Sequence, residues 1–347
     1  MRILIAGGAG MIGSHLCERL IMEEHSVICM DNLSTGRIEN VRRWLDNPLF
    51  TFIQHDIIEE LPALPKLDRI FHLASPASPP GFVRLPIETL RVNSEGSYRL
   101  LRLAQKDGAR LLYSSTSEAY GDPLEHPQRE EYRGNVSSIG PRSMYDEAKR
   151  FGEAMAMAFM RTHGVDSRIV RIFNTYGPQC DPYDGRLVVN FIVQALKEQP
   201  LTVYGDGRQT RSLCYVSDLV DGLMRAIEAN NWPGGVVNLG NPDEQTVLRF
   251  AEIIRELTGR HSEIVFTDPA VGDDPQRRRP DITRARAALG WEPKIQLHEG
   301  LLRTIQYLRN ELGIHVSKND PKNGVANGRI ADVAAEVAAA HARPNVH

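Results

Sequence analysis

The sequence predicts an α/β protein: a doubly wound parallel sheet followed by a smaller C-terminal α/β domain. Three observations predict it. Short apolar runs alternate with segments of helix length, the pattern of repeated strand-helix-strand units. The runs are apolar almost throughout, as strands covered by helices on both faces must be. Residues of unusual chemistry come directly after the runs, at the strand ends where such a sheet opens its ligand crevice.

The expected strands are RILIA (2–6), SVICMD (26–31), LFTFI (49–53), RIFHLAS (69–75), ARLLYSS (109–115) and SRIVRIF (167–173). After them come GGAG, DNLSTG, HDI, HLASPASPP, SSTSEAYG and RIFNTYGP, so that one crevice can collect all six segments. Residues 1–175 form the first domain on this reading. Beyond them helix-like LVVNFIVQALKE, YVSDLVDGLMRAIEA and VLRFAEIIRELTG interleave with strand-like LTVYG and VVNLG. This predicts a second domain over 176–312 that returns some segments to the first. The polar, then Ala-rich, stretch 316–347 is expected to be a disordered tail and is given no function.

With 347 residues, 41% of them hydrophobic, the chain can bury a sizeable core. Its formal net charge of −3 offers no basic field to nucleic acid. The apolar run in MRILIAGGAG is too short for a signal peptide, and no stretch is long and apolar enough to span a membrane. Cys17, Cys29, Cys180 and Cys214 show no metal-binding or disulfide spacing, so no metal site is expected and a reducing cytoplasm is.

Gly7, Gly10 and Gly13 lie between the first strand and a helix. Glycines there permit a tight turn, close backbone approach to a pyrophosphate and close helix packing, while the helix N-terminus favours the anion. Asp31 ends the second strand, where a carboxylate accepts from both ribose hydroxyls and repels a 2′-phosphate. Together they predict a dinucleotide, NAD in preference to NADP. Met11 and Ile12 of the turn, then Asn32, Ser34, Thr35 and Gly36 after Asp31, belong to the same expected surface. So do Asp56 and Ile57 after the third strand, and Leu73, Ala74 and Ser75 after the fourth.

Tyr145 and Lys149 stand one helical turn apart in YDEAK, hence on one face. An unperturbed phenol, with a pKa of about 10, is a poor base. A neighbouring ammonium and an oxidised nicotinamide both favour the phenolate, which makes Tyr145 the expected acid/base of a hydride transfer, with both residues also touching NAD. Thr116, ending the fifth strand, offers a hydroxyl to the same reaction.

With these residues in view, the sequence resembles the extended short-chain dehydrogenase/reductases that act on nucleotide sugars. The resemblance covers about residues 1–312 and rests on GGAGMIG, DNLSTG, STSEAYG, YDEAK, RIFNTYGP and TRSLCYVSD. It implies a Rossmann-type fold, tightly bound NAD and oxidation of a sugar at C4. The fate of the oxidised sugar depends on the residues after the threonine. The epimerases generally have no carboxylate two residues beyond it, whereas the 4,6-dehydratases carry Thr-Asp-Glu. This chain has Thr116-Ser117-Glu118, a carboxylate without the second acid.

A third reaction, decarboxylation of UDP-glucuronate to UDP-xylose, fits that set, because oxidation at C4 makes C6 the carboxyl of a β-keto acid and no hydroxide need be expelled. Glu118 then positions the ring or helps to protonate C5. SPASPP, GDPLEHPQ, GPRSMYDEAKR, PLTVYG, TRSLCYVSDL, NLGNPDE, DDPQRRRPDI and LGWEP are similar to the UDP-glucuronate decarboxylase family. The resemblance implies Arg278 as the basic residue near the reacting sugar. It implies Pro76, Arg91, Asn174, Asn190, Thr202, Tyr204 and Arg211 as further substrate contacts, Arg211 on a phosphate. The chain departs from the family at GFVRLPIETLRVN, where Phe82, Arg84 and Arg91 replace a tyrosine-containing stretch. A C4 epimerase, such as one acting on UDP-glucuronate, an enzyme releasing a 4-keto sugar, and a non-catalytic NAD sensor stay open beside decarboxylation. Helices starting near Asn93 and Ala148, with Leu100, Leu103, Met155 and Phe159 at helical spacing, imply a homodimer through a four-helix interface.

Overall fold

The structure, a computed structural model, describes residues 1–268 and 275–314. The proposed tail 316–347, and the first two residues of DDPQRRRPDI, lie outside the described residues.

Six apolar runs become strands of one parallel sheet: β1 (Arg2–Ala6), β2 (Ser26–Asp31), β3 (Phe50–Gln54), β4 (Arg69–His72), β5 (Arg110–Thr116) and β6 (Ser167–Ile172). A seventh, β7 (Val236–Leu239), returns from the later half and pairs with β6. The order across the sheet is β7-β6-β5-β4-β1-β2-β3, so the direction of winding reverses beside β1. That places the end of β1 and the ends of β4 and β5 around one crevice. The run RIFHLAS leaves the sheet earlier than its composition suggests: Leu73 N–H still donates to Ala6 O at 2.8 Å, but the strand ends at His72. The remaining Leu73, Ala74 and Ser75 are thereby freed to line the crevice.

The apolar strands bury both faces. Ile3, Ile5, Leu16, Leu20 and Phe71 belong to one core cluster, which runs on into Val237, Phe250, Trp291 and Leu301 of the later half. Leu4, Ala6, Ile28, Ile70, Leu100 and Leu111 belong to the other. The later half adds the helices Leu187–Leu196, Val216–Glu228, Val247–Thr258, Thr283–Leu289 and Leu297–Glu311 and, among the described residues, three small strand pairs: Leu201–Tyr204 with Ile264–Thr267, Thr210–Ser212 with Glu244–Thr246, and Cys214–Tyr215 with Thr175–Tyr176.

The helix expected near Ala148 begins earlier, at Ser143, and runs to His163. Near Asn93 the chain makes a π-helical turn (Val92–Gly96) before the helix Ser97–Asp107. Leu100 and Phe159 are buried in the second cluster, with Leu103 and Met155 half-buried against it. These four residues therefore serve the chain's own core; the apolar side chains these helices leave exposed are Tyr98 and Phe151.

Candidate active site

At the C-terminal ends of β1, β2 and β4 lies an open cleft. Its wall includes Gly7, Gly10, Asp31, Asn32, Ser34, Thr35, Gly36, Asp56, Ile57, Leu73, Ala74, Ser75 and Pro76. Gly7 has φ +83°, and a Cβ on it would sit 2.6 Å from the Ala74 nitrogen, so only glycine lets β1 and β4 close at this point. A Cβ on Gly13 would lie 2.2 Å from Gly7 O, which is the close helix approach the motif requires. The helix Met11–Met22 starts at Gly10 with no side-chain cap, leaving its first N–H groups to an anion. The residues present thus fit a dinucleotide. Met11 and Ile12 offer backbone only, because the Met11 side chain is part of the core and Ile12 packs against it.

Asp31 accepts from Ala9 N–H at 3.0 Å and from Leu33 N–H at 2.8 Å. Burial lifts its pKa against those two donors, and Asp56 adds to the lift. Asp56 itself accepts from the Asn32 amide at 2.8 Å and from Ile58 N–H at 3.0 Å.

Deeper in the crevice β5 ends at Thr116, whose hydroxyl accepts from Glu118 N–H at 3.2 Å and caps the turn Ser117–Tyr120. The same hydroxyl is hydrogen-bonded to the buried Tyr145 phenol. Phe82 stacks on the Tyr145 ring, with centroids 5.0 Å apart and planes 13° from parallel. Burial pushes the phenol up to about 12; the Thr116 bond opposes this, and Glu118 and Asp146 reinforce it. Lys149 lies one helical turn from Tyr145 and is buried. Its ammonium donates to Ser114 O at 2.8 Å and lies 5.3 Å from the centre of the Tyr113 ring, and burial lowers its own pKa to about 7.

Glu118 is clamped. Arg142 Nη2 donates to Oε2 at 2.5 Å, and Arg278 Nη1 donates to Oε1. Burial pushes the carboxyl up, but Arg278, Arg142 and the nearby Arg211 outweigh it and hold it down at about 2. A carboxylate held this low is ionised at neutral pH, and its two guanidinium partners fix its position. Arg142 carried no separate signal in the sequence beyond its place three residues before Tyr145, one helical turn away. Arg186, half-buried, is a second unforeseen neighbour of the phenol.

The other expected substrate contacts divide. Arg211 is buried and acts on Glu118 through its charge. Asn174 stands half-buried just past β6, its carbonyl accepting from Cys214 N–H at 2.9 Å. Tyr204 ends its strand with 43% of its surface exposed. Asn190 is engaged with Gly185 O at 2.9 Å and Thr202 with Gln194 at 2.9 Å. Arg91 is not brought to the Glu118 cluster: it pairs with Glu95 at 2.8 Å, one turn along its own helical segment. Arg84 reaches across the cavity mouth to Ser34 O at 3.1 Å.

Residues 3–240 match the NAD dependent epimerase/dehydratase family. In sequence the chain is 52% identical over 311 residues to UDP-glucuronic acid decarboxylase 1 of Xenopus tropicalis, covering 90% of this chain and 73% of that one. In structure it is similar to a UDP-glucose 4-epimerase of Thermotoga maritima solved with UDP-glucose, with a TM-score of 0.82, 34% identity and coverage of 90% and 100%. It is also similar to a UDP-glucuronic acid 4-epimerase of Bacillus cereus in complex with UDP-glucuronic acid and NAD, with a TM-score of 0.81, 26% identity and coverage of 90% and 100%.

Proposed function

Because the chain belongs to the NAD dependent epimerase/dehydratase family, we propose that it removes carbon dioxide from UDP-glucuronate and yields UDP-xylose through a UDP-4-keto sugar. The observation that carries this reading is Glu118, a lone ionised carboxylate beside Ser117 and between two guanidinium groups. A dehydratase needs a second acid to expel the C6 hydroxyl; decarboxylation does not. The relatives at about half identity that bear the decarboxylase name support the same choice.

The glycine turn, Asp31 and the residues after β4 would hold NAD, which would supply the acceptor and later the donor of the hydride at C4. The positive charge of an oxidised nicotinamide beside Tyr145 would oppose the burial that lifts its phenol and favour the phenolate, which would take the proton of the 4-hydroxyl, with Thr116 beside it. At the resulting β-keto acid the C5–C6 bond breaks, its electrons pass towards the C4 carbonyl, and C5 gains a proton. Glu118, fixed by Arg142 and Arg278, orients the ring, and Arg211 and Arg278 add positive charge beside the anionic substrate. Tyr145 returns its proton to O4 as the ring is reduced.

Purified protein incubated with UDP-glucuronate and NAD is expected to release carbon dioxide and a nucleotide sugar lighter by that mass. A product of unchanged mass identifies an epimerase, one lacking only two hydrogens a released 4-keto sugar, and no product at all a sensor. The exposed Tyr98 and Phe151 on adjoining helices, with Ile87 and Leu90 just before them, support a homodimer through that face. Four buried cysteines with free thiols suit a reducing compartment, the cytoplasm, which fractionation tests.

A further inference from the structure

We infer that Gln128, a residue outside the cofactor and substrate surfaces, is a positioning residue that holds Arg278 against Glu118; the inference rests on the decarboxylase reading above. Arg278 reaches the clamp from a stretch outside any helix or strand, tied by an isolated bridge between Gln128 and Pro280 and, two residues before Arg278, by Gln276, whose carbonyl accepts from Thr210 N–H at 2.9 Å and whose N–H donates to Asp122 Oδ1 at 3.1 Å. A segment without a ladder needs other partners for its backbone if it is to stay in one place. Gln128 supplies three of them, at Arg279 and Asp281, one and three residues after Arg278. Its N–H donates to Arg279 O at 2.8 Å, its side-chain Oε1 accepts from Arg279 N–H at 2.7 Å, and its carbonyl accepts from Asp281 N–H at 2.9 Å. The amide cannot turn over without loss, because Nε2 donates to Glu125 O at 2.8 Å. On the other side, Ser212 Oγ donates to Arg278 O at 3.0 Å.

The same residue is tied back to the turn that carries Glu118. Tyr120, two residues past Glu118, donates its hydroxyl to Asn238 Oδ1 at 2.7 Å. The Asn238 amide donates to Gln128 O and to Asp281 O, each at 3.1 Å. Tyr120, Asn238, Gln128 and Arg278 are all buried. The chain of bonds therefore closes on itself: Glu118 to Tyr120 along the turn, then Asn238, Gln128, the Arg279 backbone, and Arg278 back to Glu118. Both members of the ion pair are fixed to a common frame, and Gln128 is where the two ends meet. In a closed polar network each bond is worth most when the others are in place.

The test is a double-mutant cycle on the full-length enzyme, reading carbon dioxide release from UDP-glucuronate with NAD and thermal stability alongside. Gln128→Met keeps the volume and loses the acceptor; it is expected to lower kcat by about tenfold to a hundredfold, the cost of a small misplacement near the chemistry, with little change in KM. Gln128→Glu keeps an oxygen facing Arg279 N–H but loses the donor to Glu125 O, and is expected to recover part of that loss, more of it at lower pH where the protonated acid donates again. In an Arg278→Lys background, Gln128→Met is expected to add nothing further to the loss, because the two act through one interaction. Should Gln128→Met not fold, Ser212→Ala removes the other bond to the Arg278 backbone, and its smaller loss is expected to vanish in the same background. Losses that multiply in the double variant, or an unchanged kcat in Gln128→Met, overturn the inference and leave the decarboxylase reading standing. A wild-type enzyme that releases no carbon dioxide overturns that reading and this inference with it.

Discussion

Replacing Glu118 with glutamine removes the carboxylate that Arg142 and Arg278 share, and the structure sets the size of the effect. The carboxyl falls from an ordinary 4.5 to about 2, and each unit is worth about 1.4 kcal/mol. Ionised Glu118 thus contributes about 3 kcal/mol to folding at neutral pH. Because the folded value is the lower one, this contribution is complete above the unfolded pKa and is lost as the pH falls through about 2. Glu118→Gln removes the shared counter-charge of Arg278 and Arg142, both less than a tenth exposed, while Arg142 keeps Asp146 at 4.0 Å; breaking a buried pair in this way typically costs about 3 to 5 kcal/mol. Urea unfolding at pH 7 is therefore expected to show a loss of about 3 kcal/mol, and the gap to wild type is expected to narrow as the pH is lowered below 4.5. Carbon dioxide release should fall about a hundredfold or more, as when a preorganised polar group is lost from other sites. A variant within about 1 kcal/mol of wild type at pH 7 would count against a buried clamp, since that is what an exposed pair delivers.

Lys149→Met is expected to separate stability from activity. Burial lowers the lysine to about 7 from 10.5, so its charge costs stability in full below the lower value and nothing above the higher one. The variant should gain urea resistance at pH 7 and more at pH 6 while losing turnover; equal midpoints at both would contradict the burial argument. Asp31→Asn should reduce the preference for NAD over NADP by at least about tenfold in nucleotide titrations, because the carboxylate that repels a 2′-phosphate is gone. Phe151→Glu, placed on an exposed apolar face, should convert a dimer into a monomer by light scattering with the circular dichroism unchanged.

Local signals made most of the frame readable. A strand buried on both faces is apolar at every position, so β1, β2, β5 and β6 stood out without any alternation to interpret. The glycine turn was equally plain, because its spacing and its constraints sit within a few residues. The start of the Tyr145 helix was harder to find: its first residue comes after an N-cap with no side-chain hydrogen bond, so the usual boundary signal is missing. Helical spacing also told that Leu100 and Phe159 are buried, but not by what; the sheet of the same chain covers them. The clamp was the least legible part. Arg142 and Arg278 meet Glu118 across 24 and 160 residues, and no periodicity carries a pairing over such distances. Resemblance supplied Arg278, and only the folded chain supplied Arg142 and the Gln128 frame.

The clamp also decides a point of mechanism that residue types left open. With the carboxyl held at about 2, only about one Glu118 in a hundred thousand carries a proton at pH 7. A general acid works best with a pKa near the working pH, and Glu118 is far from it. Its two oxygens are moreover already accepting from Arg142 and Arg278, so a donated proton would have to be regained against two guanidinium groups. We propose on this ground that water or another group protonates C5, with Glu118 setting the face from which the proton arrives. In deuterated buffer, C5 of the product should carry deuterium on a single face. Glu118→Gln should slow its formation but also let deuterium enter from both faces, because what the substitution removes is the orientation of the ring and not the source of the proton. Slow turnover with the stereochemistry intact would instead restore Glu118 to a role in the proton transfer itself.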